Sequence, residues 1–299
     1  MSLPIHTLDL LFRGQPQATA VYLLEAPAGP LLIESGPGST VPTAVKALAD
    51  HGYQPGDIRH VLLTHIHLDH AGAAGWWAAQ GATIYVHPLG APHLADPSRL
   101  IRSATRIYGD QMAPLWGEIL AVPQPQLYVV ADGELLTLNG LTIRAIDTPG
   151  HANHHYTYAV EDIAFTGDAA GMTKPGSPVV DVPAAPPEFD LERWLATVDL
   201  LQKQNFSAIY PTHFGRIDAV DAWFDELQRV LRSATAFIGD QLRAGTSEDA
   251  LVPLYEAWFR QRALAAGGDP DLLDFYMLTN PVAMSVSGIV RYWQKKGVR

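Results

Sequence analysis

At 299 residues, with 47% hydrophobic and 17% charged residues, the chain can bury a sizeable core, which excludes a disordered polypeptide. It allows one large α/β domain, or such a core with a smaller appendage. A net charge of -11 opposes polyanionic partners, because affinity for nucleic acid comes from basic patches that displace counterions. With no cysteine there is neither a disulfide framework nor a thiolate metal site, so any bound metal must take nitrogen and oxygen ligands.

Met1 to Asp9 shows no basic segment followed by an apolar run, and no later stretch approaches the ~18 apolar residues that span a membrane. A cytoplasmic protein with no membrane association is expected. From Ile5 to Ser35 the runs Leu8 to Phe12, Ala20 to Glu25 and Leu31 to Glu34, punctuated by Gly and Pro, predict adjacent antiparallel strands. A helix follows, capped by Ser39 or Thr40, with Pro42 in its first turn and Gly52 at its end. The strand Ile58 to Leu63 then runs into a histidine-rich loop, and a second helix is expected from near His70 to Gln80.

Ile84 to Val86 reads as another strand, Pro88 to Gln124 as helices and loops, and Leu127 to Asp168 as short strands turning at Asp132-Gly133 and Asn139-Gly140. Ala169 to Asp190 is a loop rich in Gly and Pro. Asp190 can cap a helix reaching Gln204, and Ala208 to Tyr210 is a last strand before a helical remainder. Strand groups followed by helices, occurring twice, predict an α/β (α+β) fold, a four-layer αββα sandwich. Residues 1–216 form its expected catalytic domain and residues 217–299 a helical extension.

Thr64-His65-Ile66-His67-Leu68-Asp69-His70 places three imidazoles and a carboxylate within six residues, on a loop leaving a sheet edge. Neutral imidazole and carboxylate are both good ligands for divalent metals. Alternation along an extended stretch lets His65 and His67 share one face, while Asp69 and His70 fall on the following turn. Thr148-Pro149-Gly150-His151, Phe165-Thr166-Gly167-Asp168 and Pro211-Thr212-His213 follow in order. A single such histidine is usually structural; the whole series points to a metal centre.

This series resembles the metallo-β-lactamase superfamily, whose H-x-H-x-D-H, later His, bridging Asp and final His all occur here in family order, between Leu10 and about Gly215. Within it the chain is most similar to glyoxalase II-like and lactonase-like hydrolases. It is less similar to β-lactamases proper, which often carry a Cys ligand. The resemblance implies two divalent metal ions, zinc foremost, with iron and manganese as alternatives. It places His65, His67 and His151 on the first and Asp69, His70 and His213 on the second, with Asp168 bridging. Glu34 stands where relatives commonly have Asp, one methylene shorter, and is expected to support the ligand loop by hydrogen bonds. His154 and His155 are expected to lie behind the ligands, whereas His6, His51, His60, His87 and His93 match no ligand position.

Two metals about 3.5 to 4 Å apart lower the pKa of a shared water toward about 7, which fits cleavage of an ester, thioester or lactone. Asp69 or Asp168 could then carry a proton to the leaving group. The rival reading is a mononuclear iron oxygenase resembling the persulfide dioxygenases. The expected substrate is a small molecule, held by Tyr108, Asp110, Met112 and Trp116 with the loop Ala170 to Val182, including Met172. The spacing of Tyr108, Met112 and Trp116 equally fits one helix face packed on the core. In the tail, Trp223, Leu227, Val230 and Leu231, and again Leu254, Trp258 and Phe259, form apolar faces that must be buried. Asp269-Pro270 and Asn280-Pro281 mark two further helix starts, and the tail is expected to cap the cleft or to form a homodimer.

Overall fold

Ile5–Asp9 (β1), Ala20–Ala26 (β2) and Gly29–Ile33 (β3) pair antiparallel in the order of the chain, with Leu8 opposite Val21 and Leu23 opposite Leu32. β1 stops at Asp9, short of the expected Phe12. The Asp9 carboxylate accepts the backbone N–H groups of Leu11 and Gln17, and Leu11 and Arg13 turn left-handed. A local side-chain cap thus displaces the ladder. The computed structural model describes residues 3–298, so Met1, Ser2 and Arg299 at the ends of the two expected domains lie outside the described residues. Two compact units result: Met1–Asp147 with His154–Gly167, and Thr148–Asn153 with Asp168–Arg299.

In the first unit Val41–Asp50 (α1) leads to His60–Leu62 (β4), which lies parallel to β3. Neither expected cap serves α1. Ser39 donates to Leu115 O at 2.6 Å and Thr40 to Pro37 O at 2.9 Å, both outside the helix. The single helix expected to begin near His70 is two, Leu68–Ala71 (α2) and Ala74–Ala79 (α3). It breaks because Ala73 N donates to Gly36 O at 2.8 Å instead of continuing the helical ladder.

Thr83–Val86 (β5), the helices Ala91–Ala95 (α4), Ser98–Tyr108 (α5) and Met112–Trp116 (α6), and Leu127–Val129 (β6) complete this half, with β4, β5 and β6 parallel. The sheet runs β1 to β6 in sequence order. Val21, Leu23, Leu32, Val61, Leu63 and Ile84 pack with Leu48 and Trp77 in one apolar core. On the opposite face of β2, Tyr22 meets Phe165 at 5.3 Å between ring centroids, so β2 is buried on both sides.

Phe165 belongs to a second, antiparallel set: Leu135–Leu138 (β7), Leu141–Asp147 (β8), Tyr156–Val160 (β9) and Ile163–Phe165 (β10). Asn139 (φ 49) and Gly140 (φ 85) make the expected tight turn between β7 and β8. Tyr158 donates its hydroxyl to Leu63 O and Tyr156 to Val130 O, each at 3.1 Å, tying the two sheets together.

The second unit is mainly helical: Leu191–Gln202 (α7), the strand Ala208–Tyr210 (β11), Val220–Arg243 (α8), Glu248–Ala265 (α9), Pro270–Thr279 (α10) and Val282–Lys295 (α11). Asp190 caps α7 through Arg193 N, and Asp269 caps α10 through Asp271 N, each at 3.0 Å, as their sequence positions predict. Leu227, Val230 and Leu231 are buried, but Leu254 is 42% exposed. The buried stripe of α9 is Leu251, Tyr255, Phe259 and Ala263, a run of four-residue steps that turns Leu254 outward.

These helices enclose the loop after residue 170. Trp223 Nε1 donates to Ala170 O, Arg262 to Val180 O, Asn280 to Asp181, and Ser285 to Val182 O. α11 crosses the loop so closely that a Cβ on Gly288 would stand 1.8 Å from Ala184 O. Gly288→Ala is therefore expected to lower stability by about 1–3 kcal/mol, read as a lower thermal midpoint. An unchanged midpoint would show that the contact yields at no cost.

Candidate metal centre

β4 delivers the histidine loop, and what fixes it is the residue just after β3. Glu34 is fully buried, sits at φ 73, and receives three donors. Thr64 gives it the backbone N–H at 3.2 Å and a short hydroxyl hydrogen bond, and His70 Nδ1 lies 2.9 Å from its carboxylate. Since the Thr64 hydroxyl proton points at Glu34, the 3.1 Å contact between Thr64 Oγ1 and His65 Nδ1 requires the imidazole to donate. His65 and His70 thus both carry their proton on Nδ1 and present Nε2 as the basic nitrogen. Metal-ligating histidines are oriented in this way.

His65 Nε2 and His67 Nδ1 converge to 2.9 Å, the shared face expected from alternation. Asp69 Oδ2 lies 3.7 Å from His70 Nε2 on the short turn of α2. Glu34, His65 and His70 offer ligand atoms that all lie within 4.8 Å of one another. The longer Glu34 side chain therefore reaches the ligand loop in full. His155, fully buried, stacks on His65 at 4.9 Å, and His154 Nδ1 accepts the Ile66 N–H at 3.4 Å, so both back the loop. Among the described residues, His6, His51, His60, His87 and His93 join no group able to hold a metal.

In the second unit, Asp168 stands between two imidazoles. His151 Nε2 is 3.3 Å from one carboxylate oxygen and His213 Nε2 is 3.6 Å from the other, and all three side chains are nearly sealed from solvent. His151 Nδ1 donates to Pro183 O at 2.7 Å, which again fixes Nε2 as the basic nitrogen. The ring packs on the edge of Trp194 at 5.5 Å. Gly150 is required because a Cβ there would lie 2.3 Å from Trp194 Cα. A carboxylate with each oxygen facing an imidazole Nε2 suits a cation in its neighbourhood. Burying such a set without compensating charge is costly. On donor chemistry and tautomers, the residues present fit divalent metal ions.

Of the expected substrate residues, Tyr108 ends α5 half-buried, with its phenol pushed up to about 12 by burial and then by the Asp69 carboxylate. It meets Trp116 edge-on at 5.1 Å, and Trp116 stacks on Phe12 at 5.5 Å. Tyr108 and Trp116 do not share one helix, because a tight turn at 109–111 separates α5 from α6. Met112 opens α6 half-buried, Asp110 is exposed, and Met172 is buried in backbone pairing with Asp181. Tyr108 is thus the one placed in the field of a candidate ligand. Trp194 and the Pro183 carbonyl, both supports of His151, have no motif that could have pointed to them, and Thr64, which opens the histidine motif, shows nothing there of its bonds to Glu34.

Residues 14–213, two thirds of the chain, match the metallo-beta-lactamase superfamily (Lactamase_B). The chain belongs to that superfamily. Its curated relatives include an atrochrysone carboxyl ACP thioesterase of Aspergillus fumigatus, 30% identical over 67% of this chain and 51% of that protein. A thioesterase of Emericella nidulans is 29% identical over 67% of this chain and 46% of that one. The chain therefore spans about half the length of these two relatives. Among solved structures, a metallo-beta-lactamase family protein of Thermus thermophilus shares the superfamily's α/β sandwich with a TM-score of 0.69 at 20% identity, covering 98% of this chain and 94% of that one. No helix among the described residues is long and apolar enough to cross a membrane.

Proposed function

We infer that this member of the superfamily is a metal-dependent hydrolase in the cytoplasm that cleaves an acyl thioester, with esters and lactones the related bonds open to the same chemistry. The observation that carries the reading is the set of hydrogen bonds donated by Nδ1 of His65, His70 and His151, the arrangement in which Nε2 serves as the ligand atom of a neutral imidazole. The thioesterase names of the two fungal relatives direct it to thioesters.

His65, His67 and His151 would hold one divalent ion and Asp69, His70 and His213 another, with Asp168 shared. All of these lie in residues 1–216, with residues 217–299 as a helical extension. Zinc fits this donor set, as do iron and manganese. When bound, such a pair supplies an acidified water and an electrophile for the acyl carbonyl.

The chain's own residues do the rest. Glu34 holds Thr64 and His70 in place, and through Thr64 it fixes His65. Asp69, partly open to solvent, would take up a proton at Oδ2 and pass it to the leaving sulfur. Tyr108 remains protonated at neutral pH and offers its hydroxyl to an anionic oxygen.

Protein purified without added metal should contain about two metal ions per chain and hydrolyse a thioester faster than the matched ester and lactone. His67→Ala and Asp168→Ala should each lower kcat/KM by about a hundredfold or more while the fold survives. Full occupancy by a single iron, with oxygen consumed on a persulfide and no hydrolysis, would replace this reading with that of an oxygenase.

A further inference from the structure

Between Arg59 and Arg144 the only Lys or Arg residues are Arg99, Arg102 and Arg106, and all three lie on α5. At steps of three and four they fall within one stripe, about 10 Å long, on the solvent side of the helix. All three are exposed, and none makes an ion pair among the described residues. α5 itself contains no carboxylate. Asp96, before the helix, accepts from Ser98 N at 3.1 Å and feels Arg102 only at a distance; Asp110 follows the helix and is exposed. In a chain with 31 acidic and 20 basic residues, an unpaired row of three guanidinium groups stands out.

Its position adds meaning. α5 ends at Tyr108, the phenol in the field of Asp69, so the stripe ends two residues before a side chain that senses the ligand loop. An exposed helix face offers no enclosure for a small ligand, which normally needs a concave site. It does suit the face of another protein. In a chain of net charge -11, this row of exposed guanidinium groups would attract and orient an acidic partner.

Resting on the thioesterase reading, we propose that Arg99, Arg102 and Arg106 are the docking stripe for an acidic acyl carrier protein, whose tethered acyl thioester is delivered past Tyr108 to the ligand loop. The stripe selects the carrier and takes no part in bond cleavage.

The test uses the metal-loaded full chain and the variant Arg99→Ala/Arg102→Ala/Arg106→Ala, in which alanine preserves the helix. Three thioesters of one acyl group are compared: on an acidic acyl carrier protein, on coenzyme A, and on N-acetylcysteamine. The variant should raise KM about tenfold for the carrier protein alone, with kcat unchanged, and added NaCl should raise the wild-type KM on that arm only. An equal rise on coenzyme A would reassign the stripe to phosphate groups and overturn the protein partner. No change on any arm, or an equal loss on all three, would also overturn it. If the wild type cleaves none of the three, the thioesterase reading fails. Docking is then judged by anisotropy of the labelled carrier protein, where wild-type binding lost in the variant supports the stripe and absence of binding ends the proposal.

Discussion

Glu34→Ala should cost about 3 kcal/mol or more of stability in chelator-treated protein and lower metal affinity by about 100-fold. The substitution removes one carboxylate, strands two buried donors, Thr64 N and His70 Nδ1, and releases a third, Thr64 Oγ1. Each buried donor left unmatched costs about 1–3 kcal/mol, so the loss precedes any effect of metal. Without Glu34, the Thr64 hydroxyl is free to donate to His65 Nδ1, which moves that imidazole's proton to Nε2 and spoils it as a ligand. Glu34→Asp keeps the charge but shortens the reach, and should fall between wild type and Ala. Thermal melts of the apo proteins and metal titrations followed by calorimetry measure the two effects separately. Wild-type melting of apo Glu34→Ala would refute the hub role.

A chain ended after Gly215 should fail to fold its second unit and should bind metal weakly. The sequence alone predicts for the tail a helical extension that caps the cleft or forms a homodimer. In the structure, α8 to α11 supply the partners for Ala170, Val180, Asp181 and Val182 and bury Leu227, Leu231, Tyr255, Phe259 and Ile289. Removing these side chains leaves the apolar surface they cover in water, at about 1.5–3 kcal/mol for each large residue, more than a domain's net stability can absorb. The expected product is aggregated, or lacks near-ultraviolet dichroism. A soluble, dichroic truncation that retains full metal content would contradict this.

Legibility in the sequence followed how local each cause was. The ligand loop could be read because its side chains lie within six residues, and Asp190 and Asp269 because a cap acts on the next turn. The early end of β1, the break between α2 and α3, and the outward Leu254 could not, since each depends on a bond or packing partner chosen in three dimensions. Gly150 looked like part of a motif, yet its physical cause is Trp194, which lies 44 positions later. The Arg stripe leaves no trace in the net charge, which averages over the very asymmetry that makes it distinctive. The Pro183 carbonyl was invisible for a simpler reason, as every residue has one.

That carbonyl ties distant parts of the chain to one imidazole. Ser285 and Asn280 hold Val182 O, and the next carbonyl along, Pro183 O, sets the proton on His151. The C-cap of α10 and the first turn of α11, which supply these grips, contribute no expected ligand and act through the angle of a peptide plane. A change that tilts the 182–184 backbone would be felt as a weaker metal site about 130 positions away in sequence, with no altered ligand to explain it.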